Sequence, residues 1–261
     1  MKKVIQEGKD LLNEIQTKKF FYKLDSYNHD KDLSIFMIRR NIAAVYNRLG
    51  KVKEALTNIK EAEAFLKNFS KREHPILKHE TTLAIDYGCI LLRSGNLKEA
   101  IKIFTKAMNE KEKISDYRRT LYGYLFRSEA LIQLGKYKEA EKDCMKIMER
   151  KKTFMSNAAK CLHAMCLYNL AVIKLNFNDK NQSLKYLHEF LEIMKEICSL
   201  ILKKDIYKEM QKDRVFVLSN DLMECFEQSK MILSTIYNPN HPYIKNYVSL
   251  FPGITNWKLI K

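Results

Sequence analysis

Apolar residues recur three or four positions apart along much of the chain, which is the spacing of one face of an amphipathic helix. The pattern is seen in the pairs Ile59 and Ala62, Phe104 and Ala107, and Cys144 and Ile147. Glycine and proline account for only 7 and 4 of the 261 residues, too few for the many turns of a β-sheet protein. We therefore predict an all-α protein.

Three segments of the chain align with one another without gaps, namely residues 41–55, 86–100 and 126–140. Each has a small residue near its start (Ala43, Gly88, Ser128), then a glycine (Gly50, Gly95, Gly135), and then an alanine after Lys-Glu (Ala55, Ala100, Ala140). A small residue lets two helices approach closely, and a glycine permits the left-handed turn that ends a helix. The repeat predicts a series of helical hairpins.

A fourth, degenerate copy begins near Leu170 and keeps a small residue at Ala171. It has Asn178 at the glycine position and Ser183 at the alanine position. Asparagine tolerates the left-handed backbone conformation and serine is still small. We therefore expect a fourth hairpin of the same kind.

These small, glycine and alanine positions resemble those of the tetratricopeptide repeat family. The resemblance implies a right-handed α-solenoid of four hairpins over residues 33–202, with helical caps at both ends. Residues 1–32 are expected to form the N-terminal cap, residues 203–250 degenerate C-terminal helices with a turn near 219–221, and residues 251–261 an extended tail carrying Trp257. The interval between repeats is 40 to 45 residues, longer than the usual value of about 34 and similar to the repeats of kinesin light chains.

Charge is the extreme feature of the composition, with 47 Lys and Arg against 31 Asp and Glu and a formal net charge of +16. The excess is spread along the chain, whereas nucleic-acid readers usually concentrate it on one stripe or tail. The charge favours an acidic protein partner and leaves nucleic acid as a weaker alternative.

No motif for a phosphate-binding loop, a serine hydrolase or a zinc protease occurs in the sequence. Cys161, His163 and Cys166 are the nearest approach to a metal site, but side chains two apart on a helix point about 200° from each other. The scattered cysteines are typical of reduced core thiols. We expect a cytoplasmic protein with no catalytic residue, metal or cofactor and no membrane insertion.

The resemblance implies that the first helix of each hairpin lines a concave groove that binds a peptide or a helix. The residues that it places there are Arg40, Asn41, Arg48, Asp86, Arg93, Tyr122, Phe126, Glu129, Tyr168 and Asn169. Asn41 and Asn169 fall where family members often use asparagine to bind a peptide backbone. Thr82 and Asp86 stand where members that clamp the acidic tails of heat-shock proteins require Lys and Arg, which argues against that specificity.

The sequence thus favours a non-enzymatic scaffold or adaptor that binds a peptide or helix of another protein, with an acidic segment preferred. Two alternatives stay open. One is a nucleic-acid-associated or tubulin-associated subunit that uses the basic surface. The other is a regulatory subunit of a signalling enzyme.

Overall fold

The computed structural model describes residues 3, 5–10, 28–69, 80–109, 117–150, 157–202, 215–237 and 241. The helices within those ranges are α1 (Asn28–Arg48), α2 (Val52–Phe69), α3 (Glu80–Arg93), α4 (Leu97–Asn109), α5 (Tyr117–Gln133), α6 (Tyr137–Met148), α7 (Asn157–Asn176), α8 (Lys180–Leu202) and α9 (Val215–Ile236). Residues 5–10 are also helical, and no residue of the described ranges is in a strand. The all-α prediction is confirmed for this part of the chain.

The turns that join the two helices of each hairpin have the predicted backbone. Gly50, Gly95 and Gly135 have φ angles of 69°, 76° and 72°, and Asn178 has a φ of 61°. At each turn a backbone N–H after the helix bonds back to a carbonyl of its last turns, as Lys51 does to Tyr46 at 2.9 Å. These left-handed residues reverse the chain after α1, α3, α5 and α7.

The chain forms two compact units, Met1–Ala130 and Leu131–Lys261. In the first unit α1 packs on α2 and α3 packs on α4. Gly88 of α3 lies so close to Phe104 of α4 that an added Cβ would overlap the ring, with 2.7 Å to Cζ. The small position therefore permits the close helix approach that the repeat predicted.

The core of the first hairpin extends to the N-terminal helical stretch. Ile5 is buried in the same apolar cluster as Ile35, Phe36 and Ile59. Gly8 also faces Ile42, since a Cβ at Gly8 would lie 3.2 Å from the Ile42 side chain. Residues 5–10 thus cover part of the first hairpin.

In the second unit α7 packs on α8, and α9 packs on both of them, mainly on α7. The Ser183 hydroxyl donates a hydrogen bond of 2.8 Å to the carbonyl oxygen of Ala171, so the serine of the degenerate copy links the two helices of its hairpin. The side chains of residues 161–171 of α7 are all buried, because α7 has neighbours on several sides.

The predicted turn at residues 219–221 is wrong, because α9 runs through these positions as one continuous helix. Leu222, Phe226 and Leu233 are buried at helical spacing and carry the helix past the polar segment. The Trp257 tail and most of the helix expected after His241 lie outside the described residues. The domain boundaries proposed from the sequence stay predictions.

Candidate functional site

Two candidate binding residues of the first unit form an ion pair with each other. Arg40 of α1 is 4% exposed, and its Nε lies 2.7 Å from Oδ2 of Asp86 on α3. Opposite charges at this distance in a largely buried place offset each other. The pair therefore links the first helices of two successive hairpins, and neither charge is left uncompensated for a ligand.

Three other candidates bring polar groups to the surface of the same helices. Asn41 is exposed, Arg48 is half-buried and Arg93 is exposed. The Arg93 guanidinium donates a hydrogen bond of 3.4 Å to the carbonyl oxygen of Asn47, so its stem crosses from α3 to the end of α1. Amide and guanidinium groups are thus presented along α1 and α3.

The candidates on α5 divide into one core residue and two surface residues. Phe126 is 6% exposed and stacks on Phe104 of α4, with 6.3 Å between ring centroids and 22° between planes. Its predicted place in a groove is wrong, since the ring fills the space between α4 and α5. Tyr122 and Glu129 are half-buried and can contact a ligand. We call Asn41, Arg48, Arg93, Tyr122 and Glu129 the first-helix face.

Tyr168 and Asn169 are 8% and 6% exposed on α7. The Tyr168 hydroxyl donates a hydrogen bond of 2.5 Å to Oε1 of Gln228 on α9. Both side chains are therefore buried within the chain, contrary to their predicted place on an open groove. The apolar stripe of α9, which continues through residues 219–221, is the sequence signal for a helix that could cover Tyr168 and Asn169.

Burial disfavours nucleophilic chemistry at two cysteines of the described residues, Cys161 and Cys166. Among the described residues Cys89, Cys144, Cys161, Cys166 and Cys225 form no disulfide, and the last four are buried. Burial raises the pKa of Cys161 to about 12, and burial together with the neighbouring Cys144 thiol raises that of Cys166 well above its usual value. Such thiols are protonated and poorly nucleophilic at neutral pH. The part of the chain that the structure describes holds no group of three side chains suited to a metal ion.

A surface that the sequence reading missed lies on α6, beside the turn that follows α7. Lys138, Lys142 and Lys146 are exposed at four-residue intervals and flank a depression. Met145 and Phe177 line the same depression and are 44% and 39% exposed. We call the three lysines, Met145 and Phe177 the basic patch; Glu141 and Glu149 also line the depression. The combination of cations and exposed apolar side chains is one that protein interfaces use.

The comparisons with known proteins agree with the repeat reading. Two segments, residues 83–113 and 121–154, match the family model of the tetratricopeptide repeat. No significant match was found among curated proteins or among solved structures. Residues 83–154 therefore carry tetratricopeptide repeats, which are protein-interaction modules, and the likeness to kinesin light chains stays a prediction. No helix in the described ranges is long and apolar enough to cross a membrane.

Proposed function

We propose that this protein is a non-enzymatic adaptor that binds a peptide or a helix of another protein on the first-helix face of its N-terminal unit. The tetratricopeptide repeats at residues 83–154 support a role in protein binding. The observation that carries the choice of surface is the polar face of α1 and α3, where Asn41, Arg48 and Arg93 bring donors to the surface above an internal ion pair.

The chemistry of this face favours an extended, acidic segment. An asparagine amide offers one donor and one acceptor side by side, which suits a peptide backbone. A guanidinium can bind a carboxylate through two parallel hydrogen bonds, and the face has two guanidinium groups, Arg48 and Arg93, of which Arg93 already donates one hydrogen bond to Asn47. The overall charge of +16 would also accelerate the approach of an acidic partner.

The Arg40–Asp86 pair has a supporting role in this proposal. Because it joins α1 to α3, it keeps the side chains of the two helices in register with each other. A preorganised face loses less entropy when a ligand binds. Arg40 and Asp86 are therefore positioning residues, and ligand contact is assigned to the first-helix face.

A photo-crosslinking experiment tests the proposal. A photoreactive amino acid at Asn41 or Glu129 should crosslink the partner from an extract of the native cells, whereas the same amino acid at Lys60 on α2 should not. The Asn41→Ala/Arg48→Glu variant should lose at least about tenfold in partner affinity, or about 1.4 kcal/mol. The matched control is Asn58→Ala/Lys60→Glu, which makes the same changes of charge on α2.

The result that would overturn the proposal is equal loss of binding in the two double variants, or crosslinks only from Lys60. Unchanged circular dichroism spectra would show that both variants keep their helices. A change of binding in the first variant alone would place the contact on the first-helix face.

A further inference from the structure

The lysines of the basic patch are not neutralised within the part of the chain that the structure describes. Lys138, Lys142 and Lys146 make no ion pair there. Two neighbouring carboxylates are already engaged by other lysines: Glu139 by Lys136 at 2.9 Å, and Glu141 by Lys174 at 2.6 Å. Glu149 also lines the depression, so three lysines stand against this one further carboxylate, and a net positive charge along α6 is available to a partner.

The apolar part of the patch is held in place by its surroundings. The Phe177 ring meets Tyr137 edge to face, with 6.1 Å between centroids and 81° between planes. Lys174 Nζ lies 5.9 Å from the centroid of the same ring. The ring keeps these two contacts although it is 39% exposed. A ligand that covers the ring therefore causes little further loss of side-chain entropy.

The equivalent surface of the preceding repeat provides an internal comparison. Lys98, Lys102 and Lys106 occupy on α4 the repeat positions of the three patch lysines, and all are exposed. The position of Met145 is taken there by Thr105, whose hydroxyl donates to the carbonyl of Ile101 at 2.7 Å and accepts from Arg127 at 2.9 Å. The α4 surface therefore has the same three lysines, of which Lys102 lies 3.9 Å from Glu99, and a polar residue that is already bonded within the chain.

We propose that the basic patch is a second binding site, which takes an acidic protein segment carrying a large apolar side chain. The carboxylates would lie along Lys138, Lys142 and Lys146, and the apolar side chain would enter the depression beside Met145 and Phe177. The positive charge of the lysines favours an acidic partner. The exposed Met145 and Phe177 side chains favour a partner that also has an apolar side chain. The site lies on a second helix of the repeat and is separate from the first-helix face.

The test uses the full chain and a short fluorescent peptide of glutamates around a central Leu-Phe pair. Binding is measured by fluorescence anisotropy. The Lys138→Gln/Lys142→Gln/Lys146→Gln variant should weaken binding at least about tenfold, because three charge contacts are lost. The matched variant Lys98→Gln/Lys102→Gln/Lys106→Gln removes the same charge from α4 and should change the affinity less than about twofold.

The apolar half of the proposal has its own arm. Phe177→Ala and Met145→Gln should each weaken binding of the Leu-Phe peptide several-fold and leave a glutamate-serine peptide unchanged. Because Met145 is 44% exposed, Met145→Gln should not lower the stability of the protein. This variant therefore tests the apolar contact even if Phe177→Ala is destabilising. Equal effects of the α4 and α6 variants, or no effect of the apolar variants, would overturn the proposal.

A single-stranded oligonucleotide of the same charge as the peptide separates a nucleic-acid site from a protein site. It should bind more weakly than the Leu-Phe peptide, and its binding should not depend on Met145. Tighter, lysine-dependent binding of the oligonucleotide would also overturn the proposal. The crosslink from Asn41 to the cellular partner should persist in the Lys138→Gln/Lys142→Gln/Lys146→Gln variant, so failure of this site and failure of the first-helix face are distinguishable.

Discussion

The hydroxyl of Tyr168 on α7 donates a hydrogen bond of 2.5 Å to Oε1 of Gln228 on α9. The bond joins the first helix of the fourth hairpin to a helix sixty residues further along the chain. Since the side chains around Tyr168 are buried, α9 covers the surface of α7 on which Tyr168 lies. The hydroxyl of Tyr168 therefore has its hydrogen-bond partner within the chain.

If α9 is an integral part of the second unit, removing its buried aromatic side chain should be costly. Phe226→Ala should lower the free energy of unfolding by about 3–5 kcal/mol, the usual cost of a large cavity. Met231 on the same helix is 71% exposed, and Met231→Ala should change stability by less than about 0.5 kcal/mol. Urea denaturation measures both, and equal stabilities of the two variants would contradict the packing of α9.

Gly88 should resist even the addition of one methyl group. Gly88→Ala places a Cβ against the fully buried Phe104 ring and should cost about 1–3 kcal/mol, the usual penalty of overpacking. Phe104→Leu alone leaves space and is also destabilising. In the double variant the two changes should compensate, so its loss of stability should be smaller than the sum of the two single losses. Thermal melts of the three variants and the wild type give this coupling directly, and strict additivity would speak against the contact.

The turn residues test backbone strain without any steric contact. A Cβ at Gly135 would have no atom within 4 Å, yet the φ of 72° is unfavourable for alanine. Gly135→Ala should therefore cost roughly 1–2 kcal/mol through the backbone alone. Asn178→Gly should be neutral or slightly stabilising, because glycine adopts a φ of 61° more readily than asparagine. Urea denaturation measures both variants, and an unchanged stability of Gly135→Ala would contradict the left-handed backbone at this turn.

The Arg40–Asp86 ion pair should be far more sensitive to loss of one partner than of both. Asp86→Leu leaves the buried guanidinium unpaired and should lower stability by about 3–5 kcal/mol. Arg40→Met/Asp86→Leu replaces both charges by apolar groups and should recover most of that loss. If the double variant lost as much stability as Asp86→Leu and Arg40→Met together, the two side chains would act independently. Guanidinium denaturation is unsuitable because its salt screens charges, so urea should be used.

The buried thiols predict how labelling and stability depend on pH. Burial holds the pKa of Cys161 at about 12 in the folded protein against an ordinary value of about 9, so the folded thiol keeps its proton to higher pH than the unfolded one. The stability linked to this proton is complete below about pH 9 and is lost as the pH rises towards 12.

Iodoacetamide at about pH 8 should accordingly modify the half-buried Cys89 before Cys161 and Cys166, which react only after unfolding. Peptide mapping by mass spectrometry reads each site separately. Rapid labelling of Cys161 in the native protein would contradict its burial on α7.

The hairpins of this protein could be read from the amino-acid sequence because each is specified by short-range rules. Gly50, Gly95 and Gly135 are needed where the backbone turns left-handed, and Asn178 was correctly placed among them. Gly88 is required by the close approach of two helices that are neighbours in the chain. These requirements depend on residues a few positions apart, so they leave a periodic signal.

The exposure of the site residues depends on contacts between distant parts of the chain. Arg40 is neutralised by Asp86 from the next hairpin, and Tyr168 is buried because α9 packs on α7. Phe126 occupies a groove position in the repeat but turns into the core, where it stacks on Phe104. Side-chain burial is set by whichever helix packs alongside, and no local pattern encodes that neighbour. The repeat therefore specified the helices and their turns, while tertiary packing selected the polar side chains that reach the surface.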